Sequence, residues 1–485
     1  MNDMNQSTMH CRSLPSLVAV IAAFLASVSG CGWLRERAAD LGTPESSTSL
    51  PGEPAPPPHG PAGGQAAAEP SAGSTETPAS FTGGRVPSAK TYTSTRNRPD
   101  LIQPSHLEYL GAFRLPEGSN GSSWDWSGGA LAYNPEGDPG GETDGYPGSL
   151  FGMGHDWQNM ASEVSIPAPV VPRGDLDGLN RAKTLQPFAD IRRGRMTEGD
   201  LPSVGLVYLT GPNGERPGVL HYCWGIHFQE LGHEPSHGWV ALDLRDQRMV
   251  GPWVLGNVQN YATTDYLFEI PREWAGQHVK GKRLAAGRFR EGGQGGRGPS
   301  LVAYDPYSGG RDLPGRGEKI AAQPLLLYRP VYDGGTAGIL DGYQDCDDWV
   351  GGAWLTAGER SAVIFVGSKS LRRCWYGWSD GTLHPNPENR EGPGDRGFWA
   401  EAYTAMALFY DPRDLAEVAA GRADASAPQP YATLDFNEFL WHVTDPQTQR
   451  RVRSITYDRE RNLIYILQFR GDEDRSIIHV WHVRP

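Results

Sequence analysis

The sequence predicts an all-β protein built as a β-propeller, and three observations carry that prediction. The 62 Gly and 40 Pro interrupt the chain too often for long helices, while 15 Trp and 19 Tyr supply the large flat side chains that strands pack well. A six-residue pattern occurs twice, as Asp-Trp-Ser-Gly-Gly-Ala at 125–130 and as Asp-Trp-Val-Gly-Gly-Ala at 348–353, each leading from one apolar run across a polar turn into another. An aromatic followed by Asn or Asp ends further apolar runs, at Tyr133-Asn134, Tyr304-Asp305, Tyr410-Asp411 and Tyr457-Asp458, the first three followed by Pro. Asx side chains and the fixed φ of proline start turns, so each marks a strand end. Repeated strand-turn units with little helix form the pattern of a propeller. Five units can be counted, with six as the alternative, and residues 96–485 are long for a single β-sandwich, the competing fold.

Residues 1–30 read as an export signal: Arg12 supplies positive charge, the apolar run at 17–25 is too short to span a bilayer, and small residues follow. The run ends in Val28-Ser29-Gly30-Cys31, which resembles the lipobox of bacterial lipoproteins. That resemblance implies that Cys31 is lipidated and becomes the mature N-terminus, attaching the protein to a membrane through its lipid. Gly32, rather than Asp, follows; in a Gram-negative host this implies the outer membrane. Residues 31–95 are rich in Pro, Gly, Ser, Ala and Thr and poor in large apolar residues, so they cannot bury enough surface to offset chain entropy and read as a disordered tether.

The folded part is read from residue 96 to 485, with a lone first strand at 106–115. The unit opened by Asp125 supplies strands at 128–133, 149–153 and 162–166; a second set is 204–209, 219–224 and 238–244. A third is 266–270, 300–304 and 325–328; the fourth, opened by Asp348, continues at 362–366 and 406–410; the fifth is 452–457, 463–469 and 477–483. Only one helix is expected, at 412–420, where Pro412 in the first turn and Asp414 suit an N-terminus. The lone strand at 106–115 is expected to pair as the outer strand of the final blade, closing the ring and removing an exposed edge.

A formal charge of −13 argues against nucleic acid as a partner, because such a surface needs a basic stripe. His233-Glu234-Pro235-Ser236-His237 has the letters of a zinc-protease motif, but Pro235 and the flanking glycines forbid the helix it needs, so no metal site is assigned. The Gly-rich run at 293–298 has the letters of a dinucleotide fingerprint but precedes a strand, so it reads as a flexible loop and no cofactor is assigned. No Gly-x-Ser-x-Gly elbow occurs. Besides Cys11 and Cys31 there remain Cys223, Cys346 and Cys374; Cys346 and Cys374 flank the same repeat unit and are the candidate disulfide, set against three buried thiols.

The repeated hexapeptide is the candidate binding site. Its glycines suit close backbone approach at a propeller axis, which would set Asp125, Trp126, Asp348 and Trp349 at one end of the channel beside Arg453. Carboxylates with aromatics suit sugars, which offer hydroxyls at the edge and apolar faces to stack. The competing reading is that each Asp caps a turn and each Trp packs between blades. The doublet loosely resembles the glycine pair of kelch repeats, but the preceding Asp-Trp departs from that pattern and no function is carried over. The sequence thus predicts a membrane-anchored extracytoplasmic binding module for a glycan or a protein partner. The alternative is a glycoside-acting enzyme using Asp125 and Asp348, which would need carboxyls roughly 5–9.5 Å apart facing an open cavity.

Overall fold

The computed structural model describes residues 85–88, 91–171, 175–196, 203–226, 232–288, 291–307, 313–385, 396–441 and 452–485. The leader, Cys31 and nearly all of the tether lie outside the described residues.

Five antiparallel sheets form five blades of a β-propeller. Blade I is Leu131–Asn134, Gly145–Met153, Ala161–Pro167 and Thr184–Ala189; blade II is Ser203–Leu209, Val219–Gly225, His237–Val240 and Met249–Leu255, with Lys319–Ile320 added in parallel at its edge. Blade III is Tyr266–Glu269, Leu284–Gly287, Leu301–Tyr304 and Ala322–Leu326. Blade IV is Asp348–Ala357, Arg360–Gly377, Gly397–Tyr410 and Ala432–Asp435; blade V is Val452–Asp458, Leu463–Asp472 and Arg475–Val483. The expected closure is present: Leu107–Arg114 pairs antiparallel with Arg475–Val483, from Leu107 opposite Val483 to Arg114 opposite Ile477. An early strand thereby completes the last blade, and the ring is held by a backbone ladder rather than by side-chain packing alone.

Burial follows from this arrangement. Strands inside a blade are covered on both faces by neighbouring blades, so they read as apolar runs rather than strict alternations; Leu463 through Phe469 are all buried. Five large apolar clusters lie between successive blades. For example, Tyr266, Phe268, Trp349 and Phe365 join blade III to IV, and Phe113, Leu150, Tyr465 and Val480 join V to I. At the axis, Leu131, Gly205, Leu267, Gly351 and Ile455 from the five inner strands leave only ≈ 10 Å³. That is about one water's worth of space at the centre of the ring. The crowding explains the glycine at 205, where an added Cβ would lie 2.7 Å from the backbone of Tyr266.

Several expectations are corrected. Tyr92–Ser94, assigned by composition to the tether, pairs with Ala432–Asp435 as a fifth strand of blade IV. The third strand of blade II ends at Val240 rather than 244. The helix Pro412–Ala419 forms as expected, its Asp411 cap accepting from the Arg413 amide at 3.0 Å. It is not the only helix: Arg272–His278 sets Trp274 against Trp354, ring centroids 4.6 Å apart, and Gly141–Asp144 adds a single turn.

Candidate functional site

Because strands alternate in direction, the starts of the inner strands and the loops after each second strand emerge on the same side of the blades. The first hexapeptide lies there, ahead of the Leu131–Asn134 strand rather than inside it. The Trp126 amide donates to the Asp474 carbonyl at 2.8 Å, and Asp125 forms a single backbone bridge with Arg475. The Asp125 carboxylate accepts from the Ser123 hydroxyl at 3.1 Å and lies 3.6 Å from the Arg475 guanidinium. Trp126 has φ +49°, a left-handed conformation that a bulky side chain rarely adopts and that costs about 1–3 kcal/mol. The surrounding contacts hold it there.

Those contacts form a stack. The Arg470 guanidinium lies 4.0 Å from the Trp126 ring centroid, Trp126 meets Phe469 edge-on at 5.8 Å, and Arg453 covers Phe469 at 3.9 Å. Arg453 also donates to Asp156 at 2.6 Å. The loop carrying Asp156 is zipped to the hexapeptide, since the Asp156 amide donates to the Trp126 carbonyl at 3.2 Å and the His155 amide to the Ser123 carbonyl at 2.8 Å. Beside it, Trp157 is 50% exposed and rests edge-on against His155 at 5.4 Å. Arginine over an aromatic face contributes about 0.5–1 kcal/mol at exposed sites, which fixes the platform without sealing it.

The second hexapeptide is placed differently. It opens the strand Asp348–Ala357, with Asp348 4% exposed and Trp349 fully buried between blades III and IV. The preceding Asp347 is buried as well and accepts from Lys369 Nζ at 2.8 and 3.0 Å, the Ser370 amide at 3.0 Å and the Ser370 hydroxyl at 2.7 Å. Equal sequence therefore does not give equal geometry here, which corrects the expectation of two equivalent sites. The cause is local. In the first copy Gly128 has φ +118° and the Leu467 side chain occupies the space a Cβ would need, so the chain bends before the strand begins. In the second, the strand runs through Gly351 and Gly352 with a bulge after Trp349. Asp125, Trp126 and Arg453 come together; Asp348 and Trp349 belong to a blade interior. The carboxylate-pair reading needs both groups facing an open cavity, and Asp348 is buried.

His155, Asp156, Trp157, Phe469 and Arg470 were not singled out from the sequence. A signal existed, because Asp156-Trp157 is a third Asp-Trp pair, placed directly after a strand.

The other motifs are structural. His237 opens a strand, fully buried, donating from Nε2 to the Thr263 carbonyl at 2.9 Å with Ser236 Oγ 2.9 Å from Nδ1, and burial lowers its pKa to about 4. Of the motif's two histidines His233 is exposed, as are Glu234 and Pro235. Among the described residues no group of three His, Cys, Asp or Glu is placed to hold a metal ion. The run at 293–298 is packed rather than flexible: buried Arg297 donates to the carbonyls of Arg329, Gly334 and Gly335, and a Cβ at Gly298 would lie 2.4 Å from the Tyr328 ring. Cys346 and Cys374 are disulfide-bonded with Cα atoms 6.1 Å apart, while Cys223 is free and buried, its thiol pKa pushed well up by that burial. Comparison of the sequence with protein-family models and with curated proteins gave no match.

Proposed function

We propose that this chain is a lipid-anchored extracytoplasmic propeller that binds a glycan on the face formed by Trp126, Trp157, Asp156, Arg453 and Asp125. The observation that carries the reading is the exposed Trp157, on a loop that is hydrogen-bonded to the Trp126 backbone and carries the Asp156 paired with Arg453. Indole faces stack on the apolar face of a pyranose, and the pair supplies a donor and an acceptor for its hydroxyls. Propellers serve as binding platforms and as enzymes alike, so the reading rests on this site and not on the fold. Anchoring rests on the lipobox resemblance at Cys31: one lipidated residue followed by a long apolar-poor segment sets the folded domain away from the bilayer surface.

A glycan array probed with the protein and with Trp157→Ala tests the site. A profile of bound glycans that collapses in the variant, with unchanged thermal melting, supports it; no bound glycan, or a profile indifferent to the substitution, rejects it in favour of a protein partner. Fractionation of Cys31→Ser tests the anchor, which predicts release of the variant from the membrane fraction.

A further inference from the structure

A cleft of ≈ 920 Å³ lies where the outer parts of blades II and III meet, and it shares no residue with the tryptophan platform. Its size falls in the ligand-site range of roughly 300–1,000 Å³. Val258, Ile320, Pro324, Leu327 and Pro330 line it with apolar surface, and Lys319 supplies a cation whose Nζ lies 2.8 Å from Asn257 Oδ1. The apolar strip continues past Pro330 onto Val331 and Tyr332, which are 42% and 54% exposed.

One wall of this cleft is a strand edge. Lys319–Ile320 is the last strand of its sheet; the Val254 amide donates to the Glu318 carbonyl at 2.9 Å and the Gly256 amide to the Ile320 carbonyl at 2.8 Å. That parallel pattern turns the amides and carbonyls of Lys319 and Ala321 away from blade II, and both residues line the cleft. Among the described residues neither has a backbone hydrogen-bond partner on that side. The neighbouring outer strand of blade III, in contrast, is covered by the helix Pro412–Ala419, whose Ala419 carbonyl accepts from Gln323 Nε2 at 3.0 Å. An unpaired edge beside apolar pockets is the arrangement used for strand addition, in which main-chain bonds give affinity and alternate side chains give specificity.

We propose that this cleft receives an extended peptide segment of another protein, which adds as a strand along Lys319–Ala321, sets alternate apolar side chains against Val258, Leu327 and Pro330, and places a carboxylate on Lys319. Lys319 is what selects the sign of the peptide's charge, because it is the cation at the strand edge. The inference is independent of glycan binding, since the platform lies elsewhere.

Fluorescence anisotropy with two labelled hexapeptides, Val-Glu-Val-Glu-Val-Glu and Val-Lys-Val-Lys-Val-Lys, tests it on the full chain. The protein is expected to bind the acidic peptide saturably and in preference to the basic one. Lys319→Glu should weaken the acidic peptide by tenfold or more and reverse the preference, and Val258→Arg should abolish binding of both. Trp157→Ala, which alters only the platform, should leave peptide binding unchanged. Thermal melts establish that each variant is folded, and the reversed preference of Lys319→Glu is a gain that unfolding cannot produce. Absence of saturable binding by the wild-type chain up to about 1 mM peptide would overturn the proposal. So would binding indifferent to both cleft substitutions, or a dimer in sedimentation that Val258→Arg dissociates, which would make a second copy the occupant.

Discussion

The two hexapeptides differ by a single residue, Ser127 against Val350, and share almost nothing in surroundings. Around the first, Trp126 is held in a left-handed conformation under the Arg470 guanidinium and edge-on to Phe469, and the loop hydrogen-bonded to it carries the exposed Trp157. Around the second, Trp349 has no exposed surface and Asp347 anchors a buried charge pair. The position before each copy marks the contrast: Trp124 packs on Phe188 with ring centroids 5.0 Å apart, where Asp347 binds Lys369. What separates them is where the strand begins. When the ladder starts after the motif, its Asp and Trp stay in a loop; when the ladder includes the motif, they go into the core.

The largest effect that sharpens this contrast is expected at Asp347. Replacing it with Ala strands a largely buried Lys369 ammonium and removes five hydrogen bonds, one of them from the Gln344 amide, and such breakage costs about 3–5 kcal/mol. Urea denaturation should show that loss, while Asp125→Ala on the exposed copy shifts the midpoint far less.

Acid should likewise strike the interior first. Burial lowers the pKa of His221 to about 3, of His237 to about 4 and of His479 to about 3, against an ordinary value of 6.5. Between those values and 6.5 the unfolded chain binds protons that the folded chain does not, so stability rises with pH in that window. The contribution is complete above about pH 6.5 and is lost as pH falls toward 3–4, with a slope of up to about 1.4 kcal/mol per pH unit for each histidine. His479 bridges the Tyr109 hydroxyl at 2.9 Å and Gln468 at 2.8 Å, and so sits at the ring closure. His479→Gln should flatten the pH dependence of the urea midpoint between pH 4 and 6.5.

The smallest effect on stability is expected at the platform itself. Arg453 and Asp156 are each about a quarter exposed, and pairs of that kind contribute about 0.2–1 kcal/mol. Arg453→Ala should move a thermal melt slightly, and should lower glycan binding by much more than that loss accounts for.

The ring closure, the sequence of blades and the capped helix at Asp411 were legible because each depends on local pattern: apolar runs of strand length, Asx turns, and Pro after a cap. The outer strand Thr184–Ala189 was missed because an edge strand carries polar residues or proline and loses the apolar signal, while Met249–Leu255, Leu284–Gly287 and Ala432–Asp435 were missed because they are short or broken by Gly and Pro. Tyr92–Ser94 was hidden in a stretch whose composition reads as disorder, although pairing with a finished sheet needs only three residues of backbone. The site was half legible. Its Asp-Trp signature is visible, but the meeting of Arg453 with Asp156, 297 residues apart, is fixed by ring closure and by no local sequence. The sorting of the two copies turned on Gly128, whose φ of +118° cannot be read from the residue type alone.

The claim that one motif presents a tryptophan and the other buries it is tested most directly by making Trp126→Ala and Trp349→Ala in parallel and measuring each by urea denaturation and on the same glycan array. The account predicts a crossed result. Trp349→Ala should lose about 3–5 kcal/mol of stability, as truncation of a buried tryptophan does, while its folded fraction keeps the wild-type array profile. Trp126→Ala should keep its stability within about 1 kcal/mol and lose the profile. Equal destabilisation of the two variants, with the array profile of Trp126→Ala unchanged, would contradict the account and make both copies structural.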